Sequence, residues 1–255
     1  MVVTINSNEH LSSSEYLARN SHQLTEMTTH LSCLARINPI RKNLSPRAFF
    51  LKITIMQLSF SHKKAIQTLN FFAVASGGRL NKMKALKLVY FADRHHLRKY
   101  GRPITNDTYF AMRFGPVASA CKNLLNETEE FTAPEENEYR SLFLCRDGEH
   151  DFSSKKNVDA NVLSKSDLES LQFAWENYCD LDQFQLADET HRFPEWLQHQ
   201  SALETGQATR RQMHYSDFLQ NPAPGVDKLA SLSEEAIKDL REELAEMHAV
   251  EGIWS

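Results

Sequence analysis

Long apolar runs are missing from this sequence of 255 residues. The longest apolar stretch, Ala48 to Phe60, is interrupted by Lys52 and Gln57. A helix that crosses a bilayer needs about 20 apolar residues. The first residues are polar and do not form the basic and then apolar pattern of a signal peptide. We therefore expect a soluble protein located in the cytoplasm.

Catalytic and metal-binding motifs are also missing. The four cysteines are far apart and form neither a CxxC pair nor a Cys/His cluster, being Cys33, Cys121, Cys145 and Cys179. The sequence contains no GxGxxG, GxxxxGK[ST], GxSxG or HExxH pattern, which argues against the common nucleotide-binding, hydrolase and zinc-protease classes. We predict a protein that is not an enzyme and that uses no cofactor or metal. An enzyme that uses Asp93 or His191 is the alternative.

Acidic residues outnumber basic ones after the first 55 residues. Residues 1–55 carry six Lys or Arg against three Asp or Glu, which leaves the rest of the chain with a net charge of -7. Such a mildly acidic body argues against a dedicated nucleic-acid surface.

Composition and periodicity divide the chain into three parts. Residues 1–55 are polar with little periodicity and predict a poorly ordered extension, so that Met56 is an alternative start. Residues 56–200 show helical patterns and predict the main domain. Residues 201–255 predict a Pro-containing linker and an amphipathic helix, whose apolar stripe is Ile237, Leu240, Leu244 and Met247. The predicted fold class is mainly α, a compact helical domain with a small β-hairpin-like element.

Local signals predict the boundaries of the central elements. A helix from about Asn81 to Tyr100 should end at Gly101, which adopts a left-handed conformation without a Cβ clash. Thr108 to Phe114 alternates as a strand does. Gly115-Pro116 should then open a helix, because proline suits the first helical position.

Further along the chain the signals are shorter. Tyr139 to Cys145 predicts a second strand, and the acidic run Glu127 to Glu138 predicts a solvated loop. Ser-x-x-Glu patterns that begin at Ser166 and Ser231 predict the starts of two later helices.

Asp93 is the most interesting single residue. It falls on the same helical stripe as Tyr90 and Leu97, where a carboxylate is costly to bury unless it is paired. Candidate partners are Arg113 and Tyr109 on the following strand. The residue is a buried anchor, a contact for a partner protein or, as the remote alternative, a catalytic group.

Histidines give two weaker candidates. His95 and His96 are adjacent on a helix and point about 100° apart, so they do not converge on one metal ion. His191 with Asp188 and Glu189 forms a possible acid/base cluster. The neighbouring aromatic residues favour a structural role for this cluster as the end of a helix.

Two segments carry a family resemblance. KALKLVYFADRHHLRKYGRPITNDTYFAMRFGPV and LSKSDLESLQFAWENYCDLDQFQLADETHRFPEW, in this order, strongly resemble the Panacea domain, also called the SocA-like antitoxin domain. The resemblance covers about Ser61 to Trp196; the extension before Met56 and the helix after Pro224 are not part of it. The residues that carry the signature, or that would contact a partner, are Tyr90, Asp93, Tyr100, Gly101, Arg102, Pro103, Arg113, Gly115, Pro116, Thr190, His191 and Trp196.

The resemblance implies a mostly helical domain of bacterial and phage proteins that acts as the antitoxin of a toxin-antitoxin pair. The implied partner is a protein toxin, encoded by a neighbouring gene, which the chain neutralises by binding. The alternative is an adaptor that delivers a partner to an ATP-dependent protease or to DNA.

Overall fold

Helices make up most of the described chain. A computed structural model describes residues 59–254, with side chains up to Glu246. The predicted extension over residues 1–55 and the alternative start at Met56 lie outside the described residues. The helices are α1 His62–Ala75, α2 Lys82–Tyr100, α3 Ser119–Asn126, α4 Pro134–Phe143, α5 Lys165–Tyr178, α6 Gln183–Thr190, α7 Pro194–Leu197, α8 Gln200–Glu204 and α9 Glu234–Trp254. Two short 3-10 helices are Glu129–Phe131 and Asp217–Leu219.

Six short strands form two antiparallel sheets. The strands are β1 Arg79–Asn81, β2 Tyr109–Met112, β3 Gly115–Ala118, β4 Leu144–Asp147, β5 Asp151–Ser154 and β6 Arg210–Met213. The first sheet has the order β1-β5-β4 and the second has the order β3-β2-β6. In the second sheet Ala111 lies opposite Pro116 on one side and Arg211 on the other. The predicted β-hairpin-like element is therefore two small sheets, each built on a hairpin.

Helix α2 is the centre of the domain. It packs against α1, α5, α6 and β3, so that nearly all of its faces are covered. Its apolar core residues include Leu88, Val89 and Leu97, each 0% exposed. The same helix buries charged residues such as Lys87 and Arg94, which need partners from the surrounding elements.

The predicted bounds of α2 are confirmed. The Asn81 side chain caps its N-terminus by accepting hydrogen bonds from the backbone N–H groups of Met83 and Lys84, 3.0 and 3.2 Å away. Gly101 ends the helix with φ of 75° and donates its N–H to the carbonyl of Leu97.

The predicted helix start at Gly115-Pro116 is wrong. Both residues belong to strand β3, and α3 begins only at Ser119. Gly115 has φ of +88°, so it reverses the chain after Met112 instead of opening a helix. Pro116 is tolerated because β3 is an edge strand, where the missing N–H breaks no outer pairing.

The strand predicted at Tyr139 to Cys145 is confirmed only in its last two residues, because β4 begins at Leu144, and the loop predicted over Glu127 to Glu138 is wrong from Pro134 onwards. Helix α4 begins at Pro134 and takes up the first part of the predicted strand, to Phe143. Glu136 caps it by accepting a hydrogen bond from the Ala133 N–H at 3.0 Å. The acidic residues that suggested a solvated loop thus include a helix cap.

Two predicted capping boxes are displaced by two residues. Helix α5 is capped by Ser164, which exchanges hydrogen bonds with Asp167, and not by the Ser166 pattern. The Ser233 hydroxyl, and not that of Ser231, accepts the Ala236 N–H at the start of α9. At α5 two overlapping patterns, from Ser164 to Asp167 and from Ser166 to Glu169, fit the sequence, so local spacing does not select between them. At α9 the Ser233 pattern ends in Ala236 and is not a capping box, so the spacing favours Ser231 although Ser233 is the cap.

Helix α9 lies where the sequence predicts a C-terminal helix. Ile237 and Leu240 are partly buried against the core, and Leu244 is 5% exposed. The stripe can be followed no further, because Met247 is beyond the described side chains. Of the helices within residues 59–254, none combines the length and the apolar character needed to cross a membrane.

Candidate functional site

Asp93 holds the loop that follows α2. Its carboxylate is 0% exposed and accepts hydrogen bonds from the N–H of Ile104, from the N–H and hydroxyl of Thr105, and from the hydroxyl of Tyr109. Burial raises the pKa of Asp93, and the four hydrogen bonds oppose this rise. Tyr109 is thus one of the predicted partners, whereas Arg113 is exposed and does not reach the carboxylate. The arrangement is that of a buried anchor.

A second carboxylate, which the sequence analysis missed, holds the same loop to α3. Asp107 accepts the N–H groups of Ala120 and Cys121, each at 2.8 Å, and so caps the N-terminus of that helix. Burial raises the pKa of Asp107 to about 6. Its position thirteen residues before Ala120 is outside the range of a local capping pattern.

A third buried carboxylate joins four elements. Asp167 contacts Lys64 of α1 at 2.8 Å, His96 of α2 at 3.2 Å and Arg102 of the loop at 3.3 Å. It also accepts the N–H of Ser164, which begins α5. Burial alone would raise the pKa of Asp167, but the hydrogen bond with His96 and the charge of Lys64 outweigh it and hold the pKa well below its usual value.

The two adjacent histidines point to different partners. His95 stacks on Phe173 at 4.1 Å and shares a hydrogen bond with Ser170. His96 shares hydrogen bonds with the carbonyl of Arg102 and, on its other ring nitrogen, with Ser166. Because the rings diverge, this pair does not form a chelating site.

A buried ion pair connects α2 to the segment that follows α6. Arg94 donates to Glu195 at 2.6 Å and to Asp227 at 2.5 Å, and its guanidinium lies 4.5 Å from the centre of the Phe193 ring. Tyr90 donates its hydroxyl to the same oxygen of Glu195. Burial would lower the pKa of Arg94, but the charge of Glu195 outweighs this and raises it. The sequence analysis identified only Tyr90 of this network.

Arg98 extends the network towards the C-terminal part. Its guanidinium is 2% exposed and donates to the carbonyls of Phe218, Leu219 and Gln220 and to the side chain of Asn221. One face of α2 therefore fixes the chain on either side of residue 220, which the sequence analysis had treated as a linker.

The signature hairpin fits tightly against α2 and α6. A Cβ placed on Gly115 would lie 2.1 Å from the hydroxyl oxygen of Thr190 and 3.1 Å from the amine of Lys87. Lys87 donates to the carbonyl of Pro116 at 2.7 Å, and burial lowers its pKa to about 7. The glycine in this signature is required by both its φ and its close approach to neighbouring elements.

The end of α6 is closed by an aromatic stack. The rings of His191 and Trp196 lie 3.8 Å apart, and the Trp196 indole donates to the carbonyl of Met112 at 2.9 Å. Burial lowers the pKa of His191. Within the described residues, neither Asp188 nor Glu189 makes a side-chain hydrogen bond to this ring, so the suggested acid/base cluster does not assemble.

The remaining signature residues lie at the end of α2. Tyr100 donates to Glu169 on α5, Gly101 ends the helix and Pro103 is buried in the loop held by Asp93. Of the twelve candidate residues only Arg113 is classed as exposed. The signature thus builds the scaffold, and most of its polar groups are directed inwards, where they join elements instead of lining an open cleft.

Comparisons with known proteins agree with the resemblance read from the sequence. The family model described as antitoxin SocA-like, Panacea domain matches residues 86–197, somewhat less than half of the chain. A search of the curated proteins found no match, and a search of the solved structures found none either. The matched range begins in α2 and ends with α7, so it contains the Asp93 anchor, the hairpin and the Arg94–Glu195 pair. Residues 86–197 of this chain are therefore similar to the Panacea domain of SocA-like antitoxins.

Proposed function

We propose that this chain is an antitoxin that neutralises a protein toxin by direct binding and that it carries out no chemistry on its partner. The single observation that carries this proposal is the match of residues 86–197 to an antitoxin family. The toxin is the product of a neighbouring gene.

The use of the polar residues supports this proposal. Asp93, Asp167 and Glu195 are each 0% exposed and are bonded to elements of the same domain. A catalytic group must reach substrate, and these groups are held away from solvent by their own partners. Neutralisation by binding requires no such group, only a complementary surface of roughly 1,200–2,000 Å².

Co-expression with the product of each adjacent gene tests the proposal. We expect one of these products to stop growth when expressed alone, and we expect the chain to restore growth and to co-purify with that product. The Trp196→Ala variant serves as a control. It loses the stack on His191 and the hydrogen bond to the Met112 carbonyl, so the hairpin β2–β3 should no longer be held in place and rescue should be abolished.

Two results would contradict direct neutralisation. If growth is restored without any complex, the chain acts on its partner in another way. If rescue disappears only in a host that lacks its ATP-dependent proteases, the chain is an adaptor and not a stoichiometric inhibitor.

A further inference from the structure

Two exposed aromatic rings from different elements contact each other. Phe114 lies in the turn between β2 and β3 and is 51% exposed, and Phe184 lies in the first turn of α6 and is 56% exposed. Their ring centres are 6.5 Å apart in an edge-to-face arrangement. Phe131 is still more exposed, at 62%, but among the described residues it contacts no other aromatic ring. Exposed large apolar side chains that cluster in this way are typical of interaction sites.

Arginines continue this surface along the edge of the second sheet. Arg113 lies beside the first ring, with its guanidinium 5.8 Å from the centre of Phe114. Arg210 on β6 pairs with Met112 on β2, the residue that precedes Arg113 in the chain. The guanidinium of Arg210 is 4.9 Å from the centre of the Phe110 ring. Both arginines are exposed. Arg211, the next residue of β6, lies opposite the buried Ala111 and therefore on the other face of the sheet.

The charge of these arginines is not neutralised within the domain. Among side chains described up to Glu246, no carboxylate lies within ion-pair distance of Arg113, Arg210 or Arg211. By contrast, Arg140 pairs with Glu127 at 2.7 Å, and Arg192 pairs with Glu189 at 2.9 Å. The chain after residue 55 has a net charge of -7, so this positive edge stands out from an acidic body.

We propose that this arginine–aromatic edge, made of Arg113, Phe114, Phe184 and Arg210, binds an acidic surface of the toxin. The inference rests on the proposed function and names the surface that performs it. Aromatic and arginine side chains are the residues that contribute most to protein interfaces, because they bury large areas and pair with carboxylates. Because these arginines have no carboxylate partner within the domain, a partner surface that carries carboxylates complements their charge.

An acidic protein fits this edge better than a nucleic acid does. Two arginines neutralise few phosphates, and the net charge of the surrounding body repels a polyanion. The two exposed rings also contact each other edge to face instead of standing apart as separate platforms for bases.

Charge reversal on the edge tests the inference. The measurement is the dissociation constant of the full chain for the purified product of the adjacent gene, by titration calorimetry at two salt concentrations. For the double variant Arg113→Glu/Arg210→Glu we expect binding to weaken by about 100-fold or more. For Phe114→Ser/Phe184→Ser we expect a loss of similar size.

Matched controls come from the rest of the surface. Arg146→Glu changes an exposed arginine of the first sheet, and Phe131→Ser changes the isolated exposed ring; both should alter the dissociation constant by less than about 3-fold. Thermal midpoints of all variants should match that of the natural chain, since the changed side chains are exposed.

The outcomes separate the two proposals. If the natural chain binds and both double variants bind equally well, the edge is not the interface, while the proposed function stands. If the natural chain does not bind the product at all, both proposals fail. A 30-nucleotide single strand of DNA is the second probe: if it binds the natural chain and the arginine variant loses that binding, the edge serves a nucleic acid and the inference is overturned.

Discussion

Single buried carboxylates decide how the loops of this domain are placed. Asp93 and Asp107 each accept hydrogen bonds from backbone groups of another segment, and Asp167 pairs with side chains of other segments, including Lys64 and His96. A carboxylate removed from water needs such partners, and each partner in turn loses its bond when the carboxylate is removed.

Asp93→Ala should lower the free energy of unfolding by roughly 2 to 4 kcal/mol, because four buried donors would lose their acceptor. Urea unfolding followed by circular dichroism measures this change. Glu242→Ala, on the exposed side of α9, should change the free energy by less than about 1 kcal/mol. A fully stable Asp93→Ala chain that no longer binds its partner would instead place Asp93 in an interface.

Lys87 should give the domain a distinctive dependence on pH. Its pKa of about 7 in the folded state is lower than the value of about 10.4 in an unfolded chain. Between these values the unfolded chain binds the additional proton, so the stability of the natural chain should rise from pH 7 to pH 10. The Lys87→Met chain lacks this group and should not gain that stability. The free energy of unfolding of the natural chain, minus that of Lys87→Met, should therefore grow between pH 7 and pH 10 by at most about 4 to 5 kcal/mol.

Urea unfolding at several pH values provides the comparison for Lys87. Lys122→Met, at an exposed position of α3, should give a curve parallel to that of the natural chain. If the curves of Lys87→Met and the natural chain are also parallel, Lys87 keeps its charge in the folded state.

At the scale of elements, the hairpin β2–β3 is fixed by one glycine. Gly115→Ala should destabilise the domain by more than about 2 kcal/mol, because it adds a collision with Thr190 to the cost of a positive φ. Gly148 also has a positive φ, of +77°, but open space around it. Gly148→Ala should therefore cost only about 1 kcal/mol. Equal thermal shifts for the two variants would show that the contact with Thr190 is unimportant.

Helix α9 tests whether a C-terminal stripe packs on its own domain or on another chain. Leu244 is 5% exposed, and a side chain of Leu240 comes within 3.6 Å of a Cβ placed on Gly101. Leu244→Ala should cost about 2 to 3 kcal/mol in urea unfolding if this packing is maintained in solution. Leu142→Ala, at a residue 45% exposed, is the matched control with an expected cost below about 1 kcal/mol. Unchanged stability with lost association would assign the stripe to an interface.

Elements with strong local signals were predicted well, and the others were not. Helix α2 has an apolar stripe and two capping residues within its own sequence, Asn81 and Gly101, so its bounds could be predicted. Gly115-Pro116 fits both a helix start and a hairpin, and only the contacts with Thr190 and Lys87 select the hairpin. The acidic run before Tyr139 fits both a solvated loop and the first turn of a helix. The hydrogen bond from the Ala133 N–H to Glu136 belongs to the helix.

The site was less predictable than the helices. Arg94 and Glu195 are 101 residues apart in sequence, and no local pattern connects them. Asp93 was found because a carboxylate on an apolar stripe demands a partner, whereas Asp107 and Asp167 lie where charged residues are ordinary. Long-range pairs of this kind follow from the three-dimensional arrangement and not from spacing.

At the scale of the whole molecule, the described residues form a helical scaffold with its polar signature directed inwards and a positive, aromatic edge directed outwards. The segment that matches the Panacea family model, residues 86–197, supplies much of the scaffold and the turn that carries Arg113 and Phe114. Strand β6, outside the matched segment, supplies Arg210. The two regions together form the surface assigned to the toxin.

The mass and amount of the toxin in rescued cells test the central claim most directly. The measurement is intact-mass spectrometry of the neighbouring gene's product, recovered from cells in which this chain has restored growth and quantified against cells that lack the chain. Direct neutralisation predicts an unmodified mass and an undiminished amount, recovered in a complex with this chain. A changed mass would show that the chain is an enzyme, and a depleted product would show that it is a proteolytic adaptor; either result would contradict the account.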